Sequence, residues 1–179
     1  MNTRISTLIT TVLTVLMIIG AAFSRMIPHP WNFTAIGAMA LFGGAYLPSK
    51  RVSLVVPLLA LLLSDMILGF HSTMIFVYGA FAVAVVLGWT LREERKAVRL
   101  VTISLATSSL FFLISNFGVW LMEPMYAHNW SGLVSCYVAG IPFFDNQVYG
   151  DLFFSGLLFG SFEALKKMAP EFFGAAKLV

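Results

Sequence analysis

The sequence predicts an all-α membrane protein with six transmembrane helices, and three observations support this fold class. Of the 179 residues, 59% are hydrophobic and 11% are charged, whereas an ordinary soluble domain has about 25% charged residues. The apolar residues form long blocks, several of them near the ~20 residues with which a helix crosses ~30 Å of hydrocarbon. The basic residues stand at the ends of these blocks. We therefore expect one transmembrane domain that comprises residues 1–179.

The apolar blocks define six predicted spans, which are separated by short polar connections. The predicted spans are residues 5–23, 34–47, 52–70, 73–91, 98–122 and 148–165, and residues 123–147 are predicted to form an external loop. That last stretch is rich in aromatic residues but too polar to span a bilayer. An alternative for the first span is a cleaved signal peptide, because Gly20-Ala21-Ala22 offers small residues. Its apolar run, however, is longer than the usual signal peptide core.

The distribution of basic residues predicts the orientation of the bundle. With six spans, ten of the eleven basic residues fall on one side and Arg25 falls on the other. The positive-inside rule places the ten in the cytoplasm, together with both chain termini. Because the basic residues lie at helix ends, the net charge of +3 does not indicate nucleic acid binding. We expect a multi-pass protein of the bacterial inner membrane, with the lipid bilayer as its surroundings.

The polar and aromatic residues that remain collect on the predicted external side. His29, Trp31, Asn32, His71 and Trp120 lie there, as do Asn116, Tyr149 and Asp151. Tryptophan and tyrosine gather at membrane interfaces whatever the function, so part of this set is expected to be an aromatic belt. The rest predicts an external binding site for a small-molecule substrate.

Asp65 is the most informative of these residues because it lies inside a span. It is six residues from the outer end of span three, which corresponds to a depth of about 9 Å. A carboxylate at the membrane centre costs about 2.5–3.5 kcal/mol on insertion scales, so it must find a polar partner. One interpretation is a structural hydrogen bond between helices. The other, which we favour, is a role in a solute or ion site.

Span five adds a stripe of polar residues, Thr102, Ser109 and Asn116, which recur every seven positions. This spacing predicts that they share one helix face. Such residues often form hydrogen bonds between helices without binding a ligand. Asn116 lies nearest the outside and is therefore the member most expected to contact a solute.

Sequence motifs of enzymes and of protein-bound metals are absent. The chain has no HExxH, GxSxG or Walker A sequence. Its single cysteine, Cys136, excludes an internal disulfide and a CxxC metal motif. We expect no catalytic residues, no metal site and no intrinsic cofactor.

Two segments resemble a known family. The run Ser24-Arg25-Met26-Ile27-Pro28-His29-Pro30-Trp31-Asn32-Phe33-Thr34 with Gly37-Ala38-Met39-Ala40-Leu41-Phe42-Gly43-Gly44 is similar to substrate-binding S-components of energy-coupling-factor (ECF) transporters. The similarity is greatest to the BtuM-like vitamin B12 uptake proteins, and Leu63-Ser64-Asp65-Met66-Ile67-Leu68-Gly69-Phe70-His71 strengthens it. The resemblance implies a six-helix bundle whose cavity opens to the outside, with His29, Asp65 and Tyr78 among its lining residues.

The resemblance also bears on substrate and partners. Cobalamin becomes the leading candidate substrate, and an ECF transmembrane and ATPase module becomes a candidate partner. Some BtuM-like proteins bind cobalt through a cysteine between spans three and four, which this chain lacks, so His29 is the candidate cobalt ligand. The Ala-xxx-Ala pattern that many S-components carry in span one is replaced by Thr7/Thr11 and Thr10/Thr14.

The sequence thus predicts a membrane transport protein that takes up a vitamin or a similar small solute through an outward-facing cavity. We expect Asp65 and His29 to approach one another there, with Tyr78 nearby. One alternative is a membrane enzyme that uses Asp65 with His29 or His71 as an acid–base pair. Another is an assembly subunit that transports nothing. The predicted substrate-binding residues are His29, Trp31, Asn32, Asp65, His71, Tyr78, Asn116, Trp120, Tyr149 and Asp151.

The orientation can be tested with reporter fusions. Fusions after Lys50, Glu94 and Lys167 should report the cytoplasm, because these positions adjoin the basic clusters. Fusions near His71 and Asn129 should report the exterior. An exterior signal at Glu94 would contradict the six-span arrangement.

Overall fold

The computed structural model describes residues 3–173, and these residues are helical with no β-strand. Three helices are long and apolar enough to cross a membrane, namely those that contain residues 4–26, 50–68 and 97–122. The described chain is therefore an all-α membrane protein. Its helices are α1 (Thr3–Phe23), α2 (Ile36–Tyr46), α3 (Lys50–Leu68), α4 (Met74–Trp89), α5 (Ala97–Met122), α6 (Trp130–Met168) and α7 (Pro170–Phe173), and a 3-10 turn, Ser24–Met26, follows α1.

Helices α1 to α5 begin and end within two residues of the predicted segments, whereas the sixth segment differs. Helix α6 has 39 residues and begins at Trp130, so the prediction of an external loop over 123–147 is wrong beyond residue 129. The Asn129 side chain accepts a hydrogen bond from the Gly132 N–H at 2.9 Å and so caps the N-terminus of the helix. Cys136, Phe143 and Gln147 of this stretch line a cavity, and polar residues such as Asp145 interrupt its apolar run, so its hydropathy does not indicate a span.

Helix α2 is the centre of the bundle. All its residues from Gly37 to Tyr46 are buried, and α1, α3, α4 and α6 pack around it. Its 11 residues extend about 16 Å, roughly half of a bilayer core. Gly44 and Gly88 allow α2 and α4 to touch, because a Cβ atom on Gly44 would lie 2.3 Å from the Val85 carbonyl oxygen.

Helices α5 and α6 run antiparallel along one side of α2. Hydrogen bonds join Ser104 to Ser155 and Ser108 to Asp151, so α6 residues 136–155 lie beside α5 residues 104–116. The buried polar face of α5 therefore consists of Ser104, Thr107 and Ser108.

Of the predicted polar stripe on α5, one residue lines the cavity and the other two do not. Thr102 and Ser109 are exposed and hydrogen-bond to carbonyl groups of their own helix, and Asn116 alone of the three faces the interior cavity. A drift of about 20° per seven residues leaves the three residues within about 40° of one another, so they lie on one side of α5 and differ in what surrounds that side along the helix.

The connections at one end of the bundle are 27–35, 69–73 and 123–129. The connections at the other end, 47–49 and 90–96, are flanked by most of the basic residues, and α6 ends there with Lys166 and Lys167. Lys177, which also entered the orientation argument, lies outside the described residues. One end of the described bundle thus carries a single arginine, Arg25, whereas the other end is strongly basic.

Candidate functional site: a cavity at the end with one arginine

A cavity of about 860 Å³ lies among the connections 27–35, 69–73 and 123–129. Its walls come from α5 and α6, and its floor is formed by the N-terminus of α2. The volume falls within the ~300–1,000 Å³ that is typical of small-molecule sites. Most of the lining is apolar and carries a few polar groups, as in other small-molecule sites. Most of the polar side chains belong to Arg25, His29, Asn32, His71, Asn116, Tyr126, Gln147 and Asp151.

The segment between α1 and α2 covers one side of the cavity mouth. The Phe33 N–H donates to the Pro30 carbonyl at 3.0 Å, which closes a turn in which Asn32 adopts a positive φ of 62°. Asparagine tolerates this left-handed conformation better than most residues. His29 and the 79%-exposed Trp31 project from this segment.

The imidazole of His29 has a defined orientation. Its Nδ1 lies 2.5 Å from the Ile27 carbonyl oxygen, which can only accept a hydrogen bond. Nδ1 is therefore the protonated nitrogen, and in the neutral ring Nε2 carries the lone pair. Histidine ligands of metals commonly have this arrangement.

Asp151 forms the floor of the cavity and is 2% exposed. Ser108 Oγ donates to its Oδ2 at 2.6 Å, and the Gln147 amide and the backbone N–H groups of Gly37 and Ala38 donate as well. Those N–H groups belong to the first turn of α2, which has no partners of its own for them. Position 37 is a glycine because a Cβ atom there would lie 2.3 Å from Asp151 Oδ1.

The wall between α5 and α6 is held together near Asn116. The Cys136 thiol donates to the Asn116 carbonyl at 3.4 Å, and the Asn116 amide donates to the Phe112 carbonyl at 2.8 Å. A Cβ atom on Gly140 would lie 2.5 Å from Asn116 Oδ1, so glycine is what lets this amide approach α6. Cys136 and Gly140 share the α6 face that also carries Gln147 and Asp151.

Arg25 connects the cavity to the buried carboxylate of α3. Its Nη1 lies 2.6 Å from Asp65 Oδ1 and also donates to Ser64 Oγ, and the two charged side chains are 15% and 2% exposed. Tyr78 Oη donates to Asp65 Oδ2 at 2.8 Å. The expectation that Asp65 meets His29 is therefore wrong, because both of its oxygens are engaged by Arg25 and Tyr78. The same contacts disfavour an acid–base pair of Asp65 with a histidine.

The structure brings six of the ten predicted substrate-binding residues to the cavity and leaves four outside its lining. Asp65 and Tyr78 lie behind Arg25. The Trp120 indole N–H donates to the Ala127 carbonyl at 3.0 Å and thus orders the connection between α5 and α6. Tyr149 is 65% exposed on the outer face of α6. The six that line the cavity are His29, Trp31, Asn32, His71, Asn116 and Asp151.

The sequence analysis did not select several other lining residues. Arg25 carried a signal, since it is the one basic residue on the predicted external side. The lining residues of α6, such as Cys136, Phe143 and Gln147, recur at helical intervals and so could have been predicted to share a helix face. The prediction of a loop over 123–147 prevented this. The main residues missed are Arg25, Phe111, Tyr126, Cys136, Phe143 and Gln147.

Within residues 3–173, no three His, Cys, Asp or Glu side chains come together as a set of metal ligands. The fold defines a helical membrane protein with a cavity of about 860 Å³ at one end of the bundle. The chain belongs to the family of unknown function DUF6580, which it matches over residues 5–172. Searches of the curated proteins and of the solved structures found no significant match.

The role of the ion pair behind the cavity can be tested with Asp65→Asn. The variant keeps the volume of the side chain but leaves the Arg25 guanidinium without its carboxylate, and bonds to charged groups contribute about 1.5–3 kcal/mol. We expect a clearly lower unfolding temperature in detergent by intrinsic fluorescence. Glu123→Gln is the control, because Glu123 accepts a hydrogen bond from Ser72 near the surface. If both variants melt like the parent protein, the ion pair does not stabilise the fold.

Proposed function

We propose that this protein is a substrate-binding membrane transport protein of the S-component type, and that it takes up a vitamin or a similar small solute. The observation that carries the proposal is the cavity of about 860 Å³ at the end of the bundle that has one arginine. The resemblance of residues 24–44 and 63–71 to the BtuM-like proteins supports the same function.

The proposed topology has six spans with both termini in the cytoplasm of a bacterium, in its inner membrane. The basic end of the bundle then faces the cytoplasm and the cavity opens outward. Helix α2 spans the inner half of the bilayer, and the segment from Ile27 to Ala35 enters the outer half from outside. Irregular backbone at this depth is tolerated where it lines a cavity rather than lipid.

The lining suits a solute with an extended apolar or aromatic body and several amide or hydroxyl groups. Trp31, Phe111 and Phe143 offer aromatic surfaces, while Asn116 and Gln147 offer amides. Sites that position a few polar groups in an apolar wall discriminate strongly between solutes. A solute that leaves one of these polar groups without a hydrogen-bond partner binds with a much less favourable free energy.

Cobalamin remains the leading candidate substrate. It is larger than a drug-sized molecule, so it would enter the cavity in part and leave the rest at the mouth. His29 stands at this mouth with Nε2 available as a nitrogen ligand for cobalt, and the Ile27 carbonyl supplies the outer-shell hydrogen bond. The chain has no Walker A sequence, so ATP-driven uptake would require an ECF transmembrane and ATPase module as partner.

The test is uptake in a bacterial strain that lacks its own corrinoid transport across the inner membrane. We expect expression of the protein to restore growth on trace cobalamin, and we expect His29→Ala to weaken this rescue. Mass spectrometry of solutes that co-purify with the detergent-extracted protein provides the direct measurement. If the inserted protein neither rescues growth nor retains any solute, the proposed function is wrong.

A further inference from the structure

We propose that Arg25 recognises an anionic group of the solute, a carboxylate or a phosphate ester, at the wall of the cavity. This inference rests on the proposed function and adds the chemical class of the substrate. The juxtaposition that carries it is a guanidinium that lines the cavity and uses one of its nitrogens to bind Asp65 and Ser64.

Arg25 is the cation of the cavity. No lysine and no other arginine in the described part of the chain lines it, and the remaining basic residues that the structure describes lie toward the opposite end or on the first turn of α1. An arginine at this position acts against the charge bias that orients the bundle. Ionisable groups retained within a membrane domain mark ligand sites by default.

The geometry of the ion pair leaves part of the guanidinium available. Arg25 Nη1 takes both protein partners, whereas Nη2 and Nε have none among residues 3–173. A guanidinium donates through a planar fork that matches two oxygens of a carboxylate or phosphate. Asp65 and Tyr78 act here as positioning residues, because they hold the fork from behind while its free edge remains at the cavity.

The carboxylate of Asp151, which lines the cavity, does not cancel the attraction of Arg25 for an anionic group. Asp151 Oδ2 accepts a hydrogen bond from Ser108, and the Gln147 amide and the N–H groups at the positive end of α2 also face the carboxylate, so part of its charge is offset within the protein. The other titratable side chains of the lining are His29, His71, Tyr126 and Cys136, and none of them is a carboxylate. The anion-binding capacity of the cavity thus resides in Arg25.

The experiment measures binding to the purified full chain in detergent with pairs of probes that differ in an anionic group. The pairs are pyridoxine 5′-phosphate with pyridoxine, biotin with biotinamide, and nicotinate with nicotinamide. The variants are Arg25→Gln, Arg25→Lys, Asp65→Asn and the double variant Arg25→Gln/Asp65→Asn. The double variant removes both charges together, so it keeps the interior neutral where Arg25→Gln alone could fail to fold.

We expect the parent protein to prefer the anionic member of at least one pair. Arg25→Gln and the double variant should lose about tenfold or more in affinity for that member, the scale of one charge-assisted hydrogen bond, and should bind the neutral member like the parent. Asp65→Asn should retain the preference, and Arg25→Lys should keep part of it. A preference for the phosphate pair alone would identify a phosphate ester, and one for the other pairs a carboxylate.

Three outcomes overturn the inference. If the double variant binds the anionic probe like the parent, Arg25 serves only to neutralise Asp65. If the parent binds both members of every pair equally, the site does not select an anion, although the proposed function stands. If the parent binds no probe of any pair and no co-purifying solute, the proposed function fails together with the inference.

Discussion

The architecture depends on how the short helix α2 is terminated at both ends inside the bundle. A helix leaves four N–H and four C=O groups without partners at its ends, and each costs several kcal/mol in hydrocarbon if it stays unpaired. Asp151 of α6 binds the N–H groups at the start of α2. At the other end Arg92 donates to the Gly44 and Leu47 carbonyls at 2.9 and 3.0 Å, and Arg95 donates to the Ala45 carbonyl at 3.2 Å. The signs of these charges match the helix dipole.

This double capping explains where the cavity lies. Because α2 begins halfway along the bundle, the space above its N-terminus is left to the irregular segment between α1 and α2. The ion pair of Arg25 with Asp65 fixes the start of that segment to α3, and Tyr78 ties the same carboxylate to α4. The N-terminus of α2 therefore bounds the cavity below, and the ion pair of Arg25 with Asp65 bounds it on one side. Both features place polar groups at the edge of a mostly apolar cavity.

The sequence predicted the helices well and the site in part, for physical reasons that differ between residues. The long apolar blocks predicted the bounds of α1 to α5, because a helix that crosses the bilayer needs a long run of apolar side chains. The first half of α6 escaped prediction because Asp145, Asn146 and Gln147 interrupt its apolar run, and Gln147 lines the cavity, so hydropathy alone indicated a loop. Asp65 was correctly singled out as needing a polar partner. Its partner could not be deduced, because Arg25 lies 40 positions away and only the packing of α1 on α3 brings the two together.

The proposed outward opening of the cavity is tested most directly by cysteine accessibility in intact cells. In a Cys136→Ser background, Phe143→Cys places a thiol on the cavity wall, whereas Leu157→Cys places one within the sixth predicted span, where the native side chain is 53% exposed. A membrane-impermeant maleimide added outside should label Phe143→Cys rapidly and Leu157→Cys little, because a thiol in lipid does not ionise. Equal labelling of the two thiols, or labelling of Phe143→Cys only after the inner face is exposed, would contradict an outward-open cavity.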